Sequence, residues 1–215
     1  MGLPSGVLWA PCNIDISQPN GFAKSAFQYD CSFFSWGNVD GHNPTGPASF
    51  LPWNWGGVNA QMPWYDGQAY GDTPGNTLTG DIPVGSEFDA ARANLGTPWR
   101  LPSADDFTEL FDNVIFINAD GTEVDTSRAD KRVTVNGIVG LYLQSKINGA
   151  RLFFACSGYG SGANRYNQGT NGGYWSSTWH SARNAKCLGF GSGGIVTQDN
   201  NYRYCGFTVR PVMEL

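Results

Sequence analysis

The sequence predicts an α+β fold with two helices, a small and mainly antiparallel twisted sheet, and long irregular loops. Between residues 86 and 113, apolar residues recur at helical spacing behind two cap-like sequences. Beyond Asn118 the apolar residues alternate with period two, as in strands. The first eighty residues are dense in Gly, Pro, Trp and Asn, which indicates short strands joined by ordered loops.

The first predicted helix covers residues 86–95. Ser86 and Asp89 resemble a capping box, and Gly96 supplies the end of the helix. Its buried face would be formed by apolar residues at helical spacing, which are Phe88, Ala91 and Leu95.

The second predicted helix covers residues 103–113 and repeats this pattern. Ser103 is the expected N-cap and Asp106 its partner in the capping box. Carboxylates occur at the starts of both predicted helices and include Asp105 and Asp106. Because the helix dipole favours negative charge there, we interpret them as structural and not catalytic. The buried stripe consists of Phe107, Leu110, Phe111 and Val114.

The predicted strands follow the second helix. Asp120 and Gly121 predict a turn, and the glycine run at 189–194 predicts a strand edge and a turn. The strand-like segments, by their letters, are RVTV, RLFFA, YWSST, LGFGS and GFTVRPV.

Composition indicates one folded domain over residues 1–215. Hydrophobic residues make up 40% of the chain and charged residues 14%, a balance that excludes disorder. The apolar stretches are far shorter than the roughly 20 residues that a membrane-spanning helix needs, so no membrane insertion is expected. Residues 131–215 carry 9 Lys and Arg against 2 Asp and Glu. Because these basic residues are scattered singly and the net charge is −5, no nucleic acid is expected as a partner.

Few residues could support catalysis or hold a cofactor. The two histidines, His42 and His180, lie in no hydrolase signature, and the five cysteines form no CxxC pair. At most two disulfides could form, and their pairing stays open. No nucleotide-binding motif is present, so no cofactor and no metal are expected. The enzymatic alternative uses the thiol of Cys156 or Cys187 with His180 as base.

The segment 179–205 is the candidate binding surface. Leu188 and Phe190 lie on one face of a predicted strand, whereas Cys187 and the neighbouring glycines lie on the other, outward face. The run 199–204 adds Asp, Asn and Tyr side chains, a mixture that resembles the chemistry of antibody paratopes. The alternative is an ordinary polar loop, because Asn and Gly clusters are common in turns.

Several sequence blocks, dispersed over nearly the whole chain, are specific as a set. They are Gly2 to Ala10 with Cys12 and Asn13, Phe33 to Gly37, Asp89 to Ala91 followed by Thr97 to Ser103, Gly172 to Thr178, and Gly206 to Val212. In this order they resemble the Fibrobacter major paralogous domain family, which is similar to the variable proteins of diversity-generating retroelements. The resemblance implies a C-type lectin-like fold, in agreement with the two helices and small sheet predicted above.

The resemblance also implies a variable region at 179–205. In retroelement-diversified members, adenine-directed mutagenesis rewrites selected codons near the C-terminus. An asparagine codon of the template can become most residues in this way, but not Trp or Lys, so Trp179 and Lys186 would be fixed or derived from other template codons. The bounding segments would be scaffold, with Trp175, Phe207 and Val209 packed inside. The candidate ligand-binding residues are Trp179, His180, Ser181, Arg183, Asn184, Cys187, Gly189, Gly191, Asp199, Asn200, Asn201, Tyr202 and Tyr204.

Two other protein classes share the implied fold. Formylglycine-generating enzymes use a cysteine pair, but their surrounding motifs are absent from this sequence. Calcium-dependent sugar lectins use motifs resembling EPN and WND. The segment Gln18 to Asn20 looks similar to the first motif but lies near the N-terminus, and no WND occurs, so no calcium site is expected.

The resemblance therefore implies a non-enzymatic ligand-binding protein for receptor recognition or adhesion, diversified at its C-terminal surface. Its partner would be a protein or glycan on another cell. Display on a cell surface or a virion, such as a phage tail, is expected, with an export or assembly segment upstream of this sequence. The alternatives are an enzyme of the formylglycine-generating type that uses a cysteine, and a surface or structural paralogous domain without variation.

Overall fold

The computed structural model describes residues 1–41, 78–161, 164–181 and 184–214. These residues form an α+β fold, as predicted, with two helices and mostly strands. The helices are α1 (Ala90–Leu95) and α2 (Ala104–Asp112). The strands are β1 (Leu8–Trp9), β2 (Phe33–Phe34), β3 (Trp99–Arg100), β4 (Val114–Phe116), β5 (Val133–Val135), β6 (Ile138–Ser145), β7 (Arg151–Ala155), β8 (Tyr159–Ser161), β9 (Asn164–Tyr166), β10 (Gly172–Trp179), β11 (Asn184–Gly191), β12 (Gly194–Tyr202), β13 (Phe207–Thr208) and β14 (Val212–Met213).

The strands are divided among several small sheets, where the sequence predicted one. The largest has the order β12-β11-β10-β13-β2, in which only β10 and β13 run parallel. In a second sheet, β6 pairs with β4 and β5 at its two ends and with β7 along its other edge. A third sheet, β1-β14-β3, joins the two ends of the chain, and β8 pairs with β9.

Helix α1 begins at Ala90 rather than at residue 86, because Asp89 is its N-cap. Asp89 Oδ1 accepts hydrogen bonds from the first helical turn at 3.0 and 3.1 Å and from Leu101 N at 3.1 Å. The capping box predicted at Ser86 is therefore wrong, whereas the predicted end of the helix at Gly96 is confirmed. One buried carboxylate thus joins the helix start to the segment before α2.

Helix α2 has the predicted capping box. Ser103 Oγ accepts from Asp106 N at 3.0 Å, and Asp106 Oδ2 accepts from Ser103 N at 2.7 Å. The same carboxylate oxygen accepts from Arg100 Nη1 at 2.7 Å. Phe107 and Leu110 are fully buried, so this helix covers one face of the large sheet.

Apolar clusters cover both faces of the five-stranded sheet. Tyr174 and Leu188 face the cluster under α2, whereas Trp175 and Phe207 face a second cluster that includes the start of α1. The expected burial of Trp175 and Phe207 is confirmed, with 1% and 4% of their surfaces exposed. Three side chains predicted to be buried are only half-buried against these clusters, namely Phe88, Leu95 and Phe111.

A buried arginine ties the irregular N-terminal segment to the sheets. The Arg210 guanidinium donates hydrogen bonds to Asn13 Oδ1 at 2.7 Å, Pro11 O at 2.7 Å, Ala10 O at 3.2 Å and Phe153 O at 2.8 Å. Burial lowers the pKa of this guanidinium. The four acceptors satisfy the charged group and hold the segment after β1 in place.

Candidate ligand-binding site

A groove of about 660 Å³ opens beside the β11–β12 hairpin. Its walls come from β8, the turn after β9, the start of β10, the hairpin itself and the segment that leads into β13. Two large side chains that line it are exposed, Val196 by 54% and Tyr202 by 42%, and Tyr166, which stacks on the lining residue Tyr159, is 42% exposed. Such a concave surface with exposed aromatic groups is typical of a binding site.

Glycines form the floor of the groove. At two of them, which face each other across neighbouring strands, a side chain would collide with nearby atoms. Gly173 and Gly189 are paired across β10 and β11. A Cβ on Gly173 would lie 2.8 Å from the Phe207 ring, and a Cβ on Gly189 would lie 2.5 Å from Asp199 Oδ2. Any side chain at Gly189 would therefore displace the Asp199 carboxylate from above the floor.

A bulge in β12 determines which side chains face the groove. β12 has two residues between Val196 and Asp199, whereas β11 has one between the residues paired with them. The extra residue lets Thr197 and Gln198 both face α2, where Thr108 Oγ1 lies 3.5 Å from Thr197 Oγ1 and 3.1 Å from Gln198 Nε2. Val196 and Asp199 consequently both face the groove.

Two stacked tyrosine pairs stand at the groove. The rings of Tyr202 and Tyr204 have centroids 5.2 Å apart and planes within 10° of each other. The rings of Tyr159 and Tyr166 are 5.5 Å apart at 28°. Stacking limits the freedom of these rings, so they offer rigid apolar surfaces with polar hydroxyl groups.

The strands beneath the groove are held from behind by buried polar groups. Trp175 Nε1 donates to Phe34 O at 2.7 Å, and the hydroxyl of Tyr174 donates to Ala155 O at 2.8 Å. Burial raises the pKa of Tyr174, so this hydroxyl stays a donor at neutral pH. These two hydrogen bonds hold the strands beneath the groove and involve none of the side chains that line it.

The groove brings together seven of the residues predicted to bind ligand. They are Cys187, Gly189, Gly191, Asp199, Asn201, Tyr202 and Tyr204.

The other predicted residues lie away from the groove lining. Asn184 and Asn200 are on the opposite face of the sheet, where Asn184 Nδ2 donates to Asn200 Oδ1 at 2.7 Å. Arg183 lies outside the described residues. The remaining ones, at the end of β10 and in the turn that follows, are Trp179, His180 and Ser181.

The structure contradicts the expectation that the Cys187 side chain is available to a ligand. Its surface is 1% exposed, and it packs in the same cluster as Trp175 and Phe207. Alternation along β11 was predicted correctly, but the face of Cys187 is covered by the segment that leads into β13. Burial, and then the neighbouring Asp199 carboxylate, raise the pKa of this thiol well above its ordinary value.

All five cysteines are free thiols, and four are buried. Burial raises the pKa of Cys31 to about 11 and the pKa values of Cys156 and Cys205 to about 12. A thiol with such a pKa is almost entirely protonated at neutral pH and is a poor nucleophile.

Sequence reasoning missed the opposite wall of the groove. Tyr159, Asn167 and Asn171 line it from β8 and from the turn after β9. The stretch 159–171 has the same mixture of Tyr, Asn, Ser and Gly that singled out the segment 179–205. Applying that criterion to the whole chain would have found this wall, although the pairing of the two segments would have stayed open.

Part of the chain is similar to a known protein family. Residues 142–212 match a protein family described as a domain of unknown function, DUF8237. This likeness covers the chain from within β6 to the start of β14 and includes the groove walls. No curated protein and no solved structure matches the chain.

In the part of the chain that the structure describes, neither helix is long and apolar enough to cross a membrane. In the same residues, no three His, Cys, Asp or Glu side chains are grouped so as to hold a metal ion.

Proposed function

We propose that this chain is a non-enzymatic ligand-binding protein that recognises a protein or glycan on another cell through the groove. The observation that carries this proposal is the division of the β11–β12 hairpin into two faces. One face packs on α2 and the core, while the other presents Asp199 and Asn201 on a glycine floor, with Tyr202 and Tyr204 lining the groove at the end of β12. A binding surface of this kind can change its side chains while the fold is held from behind.

The finer assignments are part of the same proposal. The two helices, short mainly antiparallel sheets and joined chain ends are compatible with a C-type lectin-like fold. Diversification by a retroelement and display on a cell surface or virion rest on the resemblance stated above. A reverse-transcriptase gene beside this one, with a near-copy of the codons for 179–205 differing chiefly at adenines, would support diversification. Its absence would favour an ordinary paralogous surface domain.

The chemistry of the thiols favours binding over the enzymatic alternative. A nucleophilic cysteine needs an accessible thiolate, whereas Cys156 and Cys187 are buried with raised pKa values. His180, the proposed base, is exposed beyond the end of β10.

The test is binding of the fluorescently labelled chain to a panel of intact Gram-negative and Gram-positive bacteria, measured by flow cytometry. Replacing Tyr202 and Tyr204 together by Ala should abolish or strongly weaken binding, because aromatic anchors contribute about 2 kcal/mol or more each when central. The midpoint of thermal unfolding should fall only slightly, since Tyr202 is exposed and Tyr204 is half-buried against the second apolar cluster and not within it.

Tyr142→Ala is a matched control, because Tyr142 is a half-buried tyrosine of β6 outside the groove lining. It should leave cell binding unchanged. Equal binding by the wild type and the double variant would contradict the proposal. So would a failure of the wild type to bind any cell of the panel, or a loss of binding that only accompanies unfolding.

A further inference from the structure

The charge of the groove is concentrated in one residue. Among the described residues that line it, Asp199 is the only one with a charged side chain. Asp199 is also the only acidic residue between Lys131 and Met213, a region that is otherwise basic. The groove therefore carries a negative charge, although the segment of the sequence that contains it is otherwise basic.

The Asp199 carboxylate has one oxygen available to a ligand. Oδ1 accepts from Asn200 N at 2.8 Å, while Oδ2 lies above the Gly189 floor. The basic side chains of β9 and β11 have other partners. Arg165 donates to Asp30 Oδ1 at 2.8 Å, and Lys186 Nζ donates to Gln198 O at 3.1 Å.

The surroundings of this carboxylate suit a cation carried on an apolar stem. Val196, which is 54% exposed, lies on the same face of β12 and can contact an aliphatic chain. The stacked rings of Tyr202 and Tyr204 line the same groove. The π face of a tyrosine attracts a cation, and a carboxylate forms a charge-assisted hydrogen bond with one.

We propose that the groove binds a basic side chain of a protein ligand, a lysine ammonium or an arginine guanidinium, with Asp199 as its counter-ion. This inference rests on the proposed function, because it assigns the ligand of the same groove. The aliphatic stem of lysine or arginine contacts Val196 and the tyrosines, and its charged end reaches Asp199. A sugar ring has no such stem, and an anionic ligand meets the repulsion of the carboxylate.

The test is a titration of the full chain followed by the NMR shifts of its backbone amides. The probes are Nα-acetyl-lysine amide and Nα-acetyl-norleucine amide, which has a similar stem without the ammonium group. The lysine probe should shift the amides of Gly189, Gly191 and Val196 saturably and bind at least about tenfold more tightly than the norleucine probe. Added salt should weaken binding of the lysine probe alone.

Two variants separate the counter-ion from the overall charge. Asp199→Asn should weaken binding of the lysine probe about tenfold, because it keeps the shape and removes the charge. Asp112→Asn makes the same change in net charge at an exposed position of α2 and should leave the affinity unchanged. Equal affinities of the wild type and Asp199→Asn would overturn the inference. So would an absence of shifts in the groove, equal binding of the two probes, or tighter binding of glucosamine than of the lysine probe.

Cell binding distinguishes this inference from the proposed function. If Asp199→Asn and the tyrosine double variant both lose binding to the bacterial panel, both proposals are supported. If only the tyrosine variant loses binding, the groove is the site and the basic side chain is the wrong ligand. If neither variant loses binding, the proposed function itself fails.

Discussion

The Asp199 carboxylate occupies the space that a side chain at Gly189 would fill: a Cβ there would lie 2.5 Å from Asp199 Oδ2. Asp199 is the only charged residue among the described residues that line the groove. The position of its carboxylate therefore depends on Gly189 having no side chain. Because Asp199 is paired with Cys187 and Gly189 lies two residues further along β11, the two residues are diagonal neighbours on one face of the hairpin.

Gly189→Ala should weaken binding of the lysine probe several-fold, because the methyl group forces the Asp199 side chain to move. The free energy of unfolding should change by no more than about 1 kcal/mol, since the displaced group is the end of a flexible side chain. NMR titration and urea unfolding measure the two effects. Gly80→Ala is the control, because a Cβ there would meet nothing within 4 Å and Gly80 does not line the groove. Equal affinities of the two variants would contradict the prediction.

Phe107→Ala should reduce the free energy of unfolding by about 3 to 5 kcal/mol, because the ring is fully buried under α2 and its loss leaves a cavity. Phe111→Ala should cost clearly less, although the sequence placed both residues in the buried stripe of the helix, since Phe111 is only half-buried. Denaturant unfolding of the two variants provides the comparison. A loss at Phe111 as large as that at Phe107 would show that the packing of α2 differs from the one described.

The ion pair between Asp130 and Arg132 should make the stability of the fold decrease in acid. The Arg132 side chain donates to its two carboxylate oxygens at 2.7 and 2.6 Å and lowers its pKa to about 2. Because the folded pKa lies below the ordinary value of about 3.9, the ion pair stabilises the fold above that pH and is lost as the pH falls toward 2. Thermal unfolding midpoints of the wild type should therefore fall more steeply from pH 4 to pH 2 than those of Asp130→Asn. Parallel curves would rule out this contribution.

The thiols should differ in their reaction with iodoacetamide at pH 8. Cys12 is half-buried, so we expect it to be alkylated first, slowly because burial also raises its pKa. The four buried cysteines should react only after unfolding in urea. Mass spectrometry of peptides from native and unfolded samples locates the modified residues. Rapid alkylation of native Cys156 or Cys187 would return the enzymatic alternative to consideration.

Local sequence patterns predicted several elements correctly because the information lies within a few residues. The capping box of Ser103 and Asp106 is closed by groups three positions apart. Likewise, the glycine run after Phe190 forms the turn between β11 and β12. The sequence misplaced the start of α1 because Ser86 and Asp89 both suit an N-cap. The hydrogen bond from Leu101 N, which is distant in sequence, stabilises Asp89 in this role.

The sequence by itself determined the fold class, α2, the hairpin turn, the alternation of β11 and a C-terminal segment rich in Tyr and Asn. Only the tertiary structure decided that strands form several sheets, that Cys187 is covered, and that the stretch 159–171 supplies the opposite wall. It also decided that Val196 and Asp199 share a face, because a bulge depends on the contacts of Thr197 and Gln198 with α2. Alternation can be read along one strand, but which segment covers a face, and where the alternation breaks, depends on contacts between residues far apart in the chain.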